Sequence, residues 1–237
     1  MPASVPAIPL PTWIEPAPLE IPADFQAAIG GHPLLAETLL RRGLSDLPAA
    51  RAFLFPDLYT PAAPQELPGL EKTTARLFDA IRAHQRIGVW GDFDVDGQTA
   101  TSILVETLRG LGADVIYHIP VRSRESHGIN LPNLKAMRQA GAELVLTCDT
   151  GISAFEAAEY ARQEGFDLLV TDHHSLPADG SLPDAFSLVN PHFLPEGHPL
   201  ATLCGAGVAY QLACLLNQQA GREEHTPALL DLAALGT

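Results

Sequence analysis

Apolar positions along the chain switch between two periods. Short runs such as Ile87-Gly88-Val89-Trp90, Leu144-Val145-Leu146-Thr147 and Leu168-Leu169-Val170-Thr171 are nearly continuous, as in strands buried on both faces of a sheet. Between them apolar residues recur at helical spacing. The pattern predicts strands over 87–90, 114–119, 144–147, 168–171 and 187–190, and helices over 73–84, 99–111, 131–140 and 153–164. Strands alternating with helices of this length imply βαβ units and an α/β fold, a mostly parallel sheet flanked by helices. A helix from Gly205 to Ala220 and a last segment opened by Pro227 follow.

The first part of the chain reads differently. Residues 1–23 are rich in proline (Pro2, Pro6, Pro9, Pro11, Pro16, Pro18, Pro22) and read as an arm or tail. Leu34, Leu35, Leu39 and Leu40 give 33–42 a helical face that stops at Gly43, and a second short helix is expected over 47–53. Pro56, Pro61, Pro64 and Pro68 make the next stretch a linker. The expected organisation is a Pro-rich arm with a short helical extension over 1–70, then one α/β domain over 71–237.

Composition narrows the class. The 237 residues are 46% hydrophobic with a mean hydropathy of +0.10, enough for a real core. The apolar runs are far too short to cross a bilayer, and the N-terminus has no basic stretch leading into an apolar core, so neither a membrane span nor a secretory signal is expected. A cytoplasmic protein is the expectation. Cys148, Cys204 and Cys214 are odd in number and lack CxxC spacing, which fits neither a disulfide framework nor a zinc ribbon. The net charge of −14 argues against a nucleic-acid partner on bulk electrostatics. Dense carboxylates suit a site that gathers divalent cations, and a bound cation inverts the local field.

Three clusters carry candidate chemistry, each at the carboxyl end of an expected strand, where parallel sheets bind ligands. Asp92, Asp94 and Asp96 alternate in Gly91-Asp92-Phe93-Asp94-Val95-Asp96-Gly97. Where the backbone turns, alternate carboxylates converge and offer hard oxygen ligands. A calcium-binding helix-loop-helix is excluded because its twelfth position, normally Glu, falls on Ile103 and a strand precedes the motif. Three acids also exceed what one helix cap uses. Asp149 lies in Cys148-Asp149-Thr150-Gly151, and taken alone would read as a helix cap. Asp172-His173-His174 suits one imidazole as ligand, one as acid/base or phosphate contact, and the carboxylate as their orienter. Together they form a mixed Asp/His cage that favours Mn²⁺ or Mg²⁺ over structural zinc.

Asp172-His173-His174 is the signature of the DHH phosphoesterase family, and the run from Val89 to Thr101 closely resembles the first motif of its RecJ branch. Asp149-Thr150-Gly151 resembles the second motif, Leu203-Cys204-Gly205-Ala206-Gly207-Val208-Ala209 the glycine-rich fourth, and Asp231 to Thr237 the fifth. The resemblance runs from about Leu44 to the last residue. It implies a metal-dependent 5'→3' exonuclease core that hydrolyses single-stranded DNA to 5'-mononucleotides, in recombination and repair. Two ions about 3.5–4 Å apart would activate a water and clamp the attacking and leaving oxygens.

On that resemblance Asp94, Asp96, Asp149 and His173 are metal ligands, with Asp149 bridging. His174 contacts phosphate near the attacking water, and Asp92 and Asp172 support them. Gly205 and Gly207 allow close backbone approach at a helix start, where amides hold phosphate; close helix packing explains them equally well. Arg122, Arg124 and His127, a basic group beyond the expected strand end at Ile119, are candidates for single-strand phosphates, with a solvated loop as the alternative.

Family members of this branch carry a DHHA1 domain, commonly an OB-fold, and a further metal-binding Asp past the Leu-Gly-Thr that ends here at Thr237. An N-terminal part of a longer protein is therefore expected, with helicase and single-strand-binding protein as possible partners. Two rivals remain. A nanoRNase, cyclic-dinucleotide phosphodiesterase or pyrophosphatase of the same fold would typically open its first motif with His, where Trp90-Gly91-Asp92 stands. A catalytically silent scaffold has no physical need for so many mutually repelling carboxylates.

Overall fold

The computed structural model describes residues 13–125 and 128–237; His127, a candidate above, and the first four prolines lie outside them. The chain divides into two compact units, one to Pro61 and one from Ala62.

In the first unit, α1 (Ala23–Ala28), α2 (Pro33–Arg41) and α3 (Leu47–Leu54) pack around Phe25, Ile29, Ala36, Leu39 and Ala50. Asp46 caps α3 by accepting the Ala49 N–H at 3.0 Å. Within the proline-rich arm, the Ala17 carbonyl accepts from Arg41 at 2.8 Å. At six residues, α1 is too short to show a helical period in the sequence.

The second unit is the α/β domain. It opens with α4 (Leu70–Arg82), after which β1 (Ile87–Trp90), α5 (Val95–Gly110), β2 (Val115–His118), α6 (Leu131–Gln139), β3 (Leu144–Thr147), α7 (Phe155–Glu164), β4 (Asp167–Thr171) and β5 (Ser187–Val189) alternate. The helices α8 (Gly205–Gln219) and α9 (Leu230–Gly236) close the chain. The sheet is parallel throughout, in the order β2-β1-β3-β4-β5.

The period-two geometry of a strand sorts its side chains to two faces. Ile87, Val89, Leu144, Leu146 and Leu169 join one core with Leu77 of α4, Leu104 and Leu108 of α5 and Leu212 and Leu216 of α8. Trp90, Val145, Leu168 and Val170 join the other, with Leu134 of α6 and Ala157 and Ala161 of α7. Both faces are covered, which is why these strands read as continuous apolar runs. Among the described residues, no helix is long and apolar enough to cross a membrane.

One boundary differs from the sequence pattern in a way that matters. Helix α5 begins at Val95, not near Thr99, because Asp94 is its cap: the Asp94 carboxylate accepts the Gly97 N–H at 3.0 Å. The expected final helix is also split, into a 3-10 segment over Glu223–Leu229 and then α9. Pro227, inside that segment, has no N–H for an α-helical ladder.

Candidate functional site

The chain leaves β1 for β2 on one side, then crosses back to place β3 on the other side of β1. Strand order reverses between β1 and β3, and at such a switch point the loops beyond the strand ends part to leave a crevice. The first acidic motif follows β1, Asp149 follows β3 with Cys148 between, and Asp172-His173-His174 follows β4, the next strand over. Topology therefore brings the three clusters to one end of the sheet.

Each carboxylate is held differently. Asp92 is buried and accepts the Phe93 N–H at 2.8 Å. Asp94 is exposed and caps α5. Asp96, in the first turn of α5, reaches across to the start of α8, where its oxygens accept the Gly205 N–H at 2.8 Å and the Ala206 N–H at 2.5 Å. Those amides are orphan donors at the positive end of a helix, so a carboxylate there is stabilised. The helix start, for which the sequence left a phosphate cradle and close packing equally open, is occupied by a side chain of the protein itself. Gly207, in the same first turn, packs against Leu203.

Asp149 is the most constrained residue of the group. It is 2% exposed and has a φ of +62°, a left-handed conformation uncommon outside glycine and costly enough to mark functional positions. Three threonine bonds brace its turn. Thr147 Oγ1 donates to the Thr150 carbonyl at 2.6 Å and accepts the Thr171 N–H at 3.2 Å, and Thr171 Oγ1 donates to the Thr147 carbonyl at 2.6 Å. Nothing in the local sequence distinguishes these threonines from ordinary strand residues. Asp149 Oδ1 is buried and receives no hydrogen bond of adequate alignment, although His173 Nε2 stands 3.0 Å from it. The same nitrogen is 3.4 Å from Asp96 Oδ2.

Asp172 orients both histidines. Its Oδ1 accepts the backbone N–H groups of His173 at 2.7 Å and His174 at 3.0 Å, and lies 2.7 Å from His174 Nδ1. Its Oδ2 takes the Ile152 N–H at 2.8 Å. Buried Asn190 adds a bond from its amide to the His174 carbonyl at 2.9 Å, a contribution with no motif to announce it. With Nδ1 committed to Asp172, His174 presents Nε2 outward. It lines a cleft of about 320 Å³ with Asp92, Thr150, Gly151 and Asp172.

The electrostatics follow from these contacts. Burial, reinforced by Asp96 and Asp94 and opposed by His173, pushes the Asp149 carboxyl up to about 6. His173 is raised by its contact with Asp149. The Asp172 carboxylate lifts His174 to about 9, so its imidazole is charged at neutral pH. Burial presses Asp172 upward, but the hydrogen bonds from His174 and Ile152 outweigh it and hold the carboxyl below its usual range. The neighbouring Cys148 thiol is buried and pushed up to about 12, a small apolar group rather than a nucleophile.

Two sets of candidate ligand atoms lie within 4.8 Å of one another: those of Asp92, Asp94 and Asp149, and those of Asp149, His173 and His174. Asp149 belongs to both. Asp96, also expected as a ligand, lies outside both sets and holds α8. The donors are carboxylate oxygens and imidazole nitrogens with no thiolate, a set suited to hard or borderline divalent ions. The unpartnered, buried Asp149 Oδ1 facing an imidazole nitrogen fits this reading, because two electron-pair donors aimed at one space suit a cation between them.

Of the basic candidates, Arg122 lies over Phe93, its guanidinium carbon 4.8 Å from the ring centroid. Arg124 is exposed. The closing motif also reaches the cluster, since a Cβ at Gly236 would stand 2.5 Å from Ala206 Cβ and 3.3 Å from Asp96 Oδ1.

Known proteins resemble this chain in sequence and fold. The chain is 37% identical over 208 residues to the single-stranded-DNA-specific exonuclease RecJ of Bacillus subtilis, an alignment covering 86% of this chain and 25% of that protein. It is 39% identical over 184 residues to the RecJ of Escherichia coli, covering 73% and 32%. The crystal structure of RecJ in complex with Mn²⁺ from Thermus thermophilus superposes with a TM-score of 0.70 at 32% identity, covering 90% of this chain and 29% of that one. The chain thus spans about a quarter to a third of the length of these relatives. Residues 86–237, the α/β domain from just before β1 onward, match the family model described as DHH family, N-terminal domain, and this chain belongs to the DHH family.

Proposed function

We propose that this chain is the catalytic core of a metal-dependent exonuclease that acts on single-stranded DNA from the 5' end and releases 5'-mononucleotides. The observation that carries the proposal is Asp149, a strained, buried carboxylate shared by two sets of candidate ligands. A shared carboxylate is what a two-ion site requires. The similarity to RecJ exonucleases and to RecJ structures holding Mn²⁺ or Mg²⁺ supports the choice of substrate and ion.

Asp94, Asp149 and His173 would hold the ions, with Asp92 beside them and Asp96 near His173. When bound, such ions supply an activated water and neutralise charge on the phosphodiester. In the hydrolysis, water adds to phosphorus and the bond to the 3'-oxygen of the terminal nucleotide breaks; that nucleotide leaves with its own 5'-phosphate. His174, charged through Asp172, donates from Nε2 to a phosphate oxygen at the mouth of the cleft. Asp172 keeps the His174 imidazole and the backbone of His173 in place.

Action in the cytoplasm, with a helicase and a single-strand-binding protein supplying and delivering the strand, belongs to the same reading. The test is Mn²⁺-dependent release of 5'-mononucleotides from a 5'-phosphorylated single-stranded oligonucleotide, using this chain beside a version extended past Thr237. Release by either form supports the reading. Inactivity in both, with dinucleotides, cyclic dinucleotides or pyrophosphate cleaved instead, would move the chain to another reaction of the same family. Inactivity on every one of these substrates would favour a silent scaffold.

A further inference from the structure

The loop that follows β2 is built around one carboxylate. Glu125 Oε2 lies 2.9 Å from His118 Nε2 and accepts from Asn133 Nδ2 at 2.5 Å and Asn130 Nδ2 at 3.3 Å. Its Oε1 takes the Val121 N–H at 3.4 Å. The Arg124 and Glu125 N–H groups close back on the Val121 carbonyl at 2.8 and 2.9 Å. One side chain thereby joins the end of β2, the turn beyond it and the first turn of α6. Capping does not require it, since Asn130 already caps α6 by accepting the Asn133 N–H at 3.0 Å.

What this carboxylate anchors faces the acidic cluster. His118, its partner, packs at a tilt of 50° against buried Trp90 at the end of β1, with ring centroids 4.6 Å apart. Arg122 sits in the anchored turn and lies over Phe93, the residue between Asp92 and Asp94. Arg122 itself is exposed, so a free loop would let its guanidinium wander.

We propose that Glu125 is a positioning residue for the substrate strand: by tying the turn to His118, Asn130 and Asn133, it keeps the Arg122 guanidinium on Phe93, where it meets a phosphate of single-stranded DNA. The proposal rests on the exonuclease reading above. Its physical basis is the charge problem of this molecule. A chain of net charge −14 whose site is lined with aspartates repels a polyanion, and a guanidinium beside the first motif offsets part of that repulsion. Holding the cation in place beforehand removes the ordering cost at the moment of binding. The Phe93 ring beneath the guanidinium attracts its charge and helps hold it beside the first motif.

The experiment is a double-mutant cycle on the full chain. Binding of a fluorescein-labelled, 5'-phosphorylated oligothymidylate with phosphorothioate linkages is followed by anisotropy, with Mn²⁺ present, over a range of salt. Glu125→Ala and Arg122→Ala should each weaken binding by roughly tenfold, the scale of one charged hydrogen bond, and each should lower the salt slope by about one. The double variant should bind no more weakly than Arg122→Ala alone, because Glu125 acts through Arg122. Full additivity, or lost thermal stability with binding unchanged, would reduce Glu125 to a loop stabiliser and overturn the proposal. No binding by the unaltered chain would instead overturn the nucleic-acid reading. The clamp is then read without DNA, by nuclear Overhauser contacts between Arg122 and Phe93. These must be present in the unaltered chain and lost in Glu125→Ala.

Discussion

Gly205 lies directly against Asp149: a Cβ built on the glycine would stand 2.5 Å from both Cβ and Oδ1 of the aspartate. Both residues belong to motifs far apart in the sequence, and neither reveals the other locally. Asp149 is fixed by its braced turn and cannot retreat. Gly205→Ala should therefore cost stability even though Ala is the better helix former. Overpacking of this kind costs about 1–3 kcal/mol. The same displacement should weaken Mn²⁺ binding, whereas an exposed helical change such as Gln219→Ala should do neither. Thermal unfolding and calorimetric Mn²⁺ titration of the two variants check this.

Asp149 should be a liability to the protein without metal. Its carboxyl is raised to about 6 from an ordinary aspartate value of about 3.9, so folding favours its neutral form. The cost is absent well below pH 4, grows between about 4 and 6, and is complete above 6. Two pKa units correspond to about 3 kcal/mol. Asn tolerates the left-handed backbone, so Asp149→Asn should raise the melting temperature at pH 8 in EDTA and lose that advantage near pH 4. A variant less stable than the parent at pH 8 would show that the His173 contact outweighs burial.

The two sets of candidate ligands share Asp149 alone, which predicts an asymmetry in metal stoichiometry. Asp149→Asn should abolish binding at both positions, and Asp94→Asn should remove one. A ligand at one hundred times its dissociation constant stabilises a fold by about 2.7 kcal/mol. Mn²⁺ should accordingly raise the melting temperature of the parent strongly, of Asp94→Asn less, and of Asp149→Asn not at all. Unchanged Mn²⁺ affinity in Asp149→Asn would remove the shared-ligand assignment.

His174 should titrate far from an ordinary histidine. Its raised value of about 9 means the folded state binds its proton more tightly. The resulting stability is fully present below pH 6.5 and is lost as pH rises through about 9. In Asp172→Asn the imidazole should titrate much closer to its ordinary value, and the parent's loss of stability over that window should shrink. Imidazole proton shifts in an NMR pH titration, taken on the metal-free protein, separate the two.

Much of this architecture is legible in the residues. The limits of β1 and β3, the alternation of strands and helices and the placement of the acidic motifs at strand ends all follow from local periodicity and short-range turn chemistry. Residue type marks which side chains are able to ligate, since carboxylate and imidazole chemistry travels with the residue. But Asp96, expected among the ligands, reaches the start of α8 instead, and Asp92, expected only to support them, joins a candidate set. The start of α5 is hidden because Asp94 is at once a candidate ligand and a helix cap, and sequence patterning treats those roles as exclusive.

Only the tertiary structure decided which groups meet. Strand order and register depend on how two apolar faces are covered at once, by α4, α5 and α8 on one side and α6 and α7 on the other, and no local period encodes that choice. From it follow the reach of Asp96 to the amides of Gly205 and Ala206, the sharing of Asp149 and the hold of Glu125 on the loop of Arg122. Each joins side chains whose proximity is set by long-range packing, while the sequence by itself determined which chemistry those side chains bring.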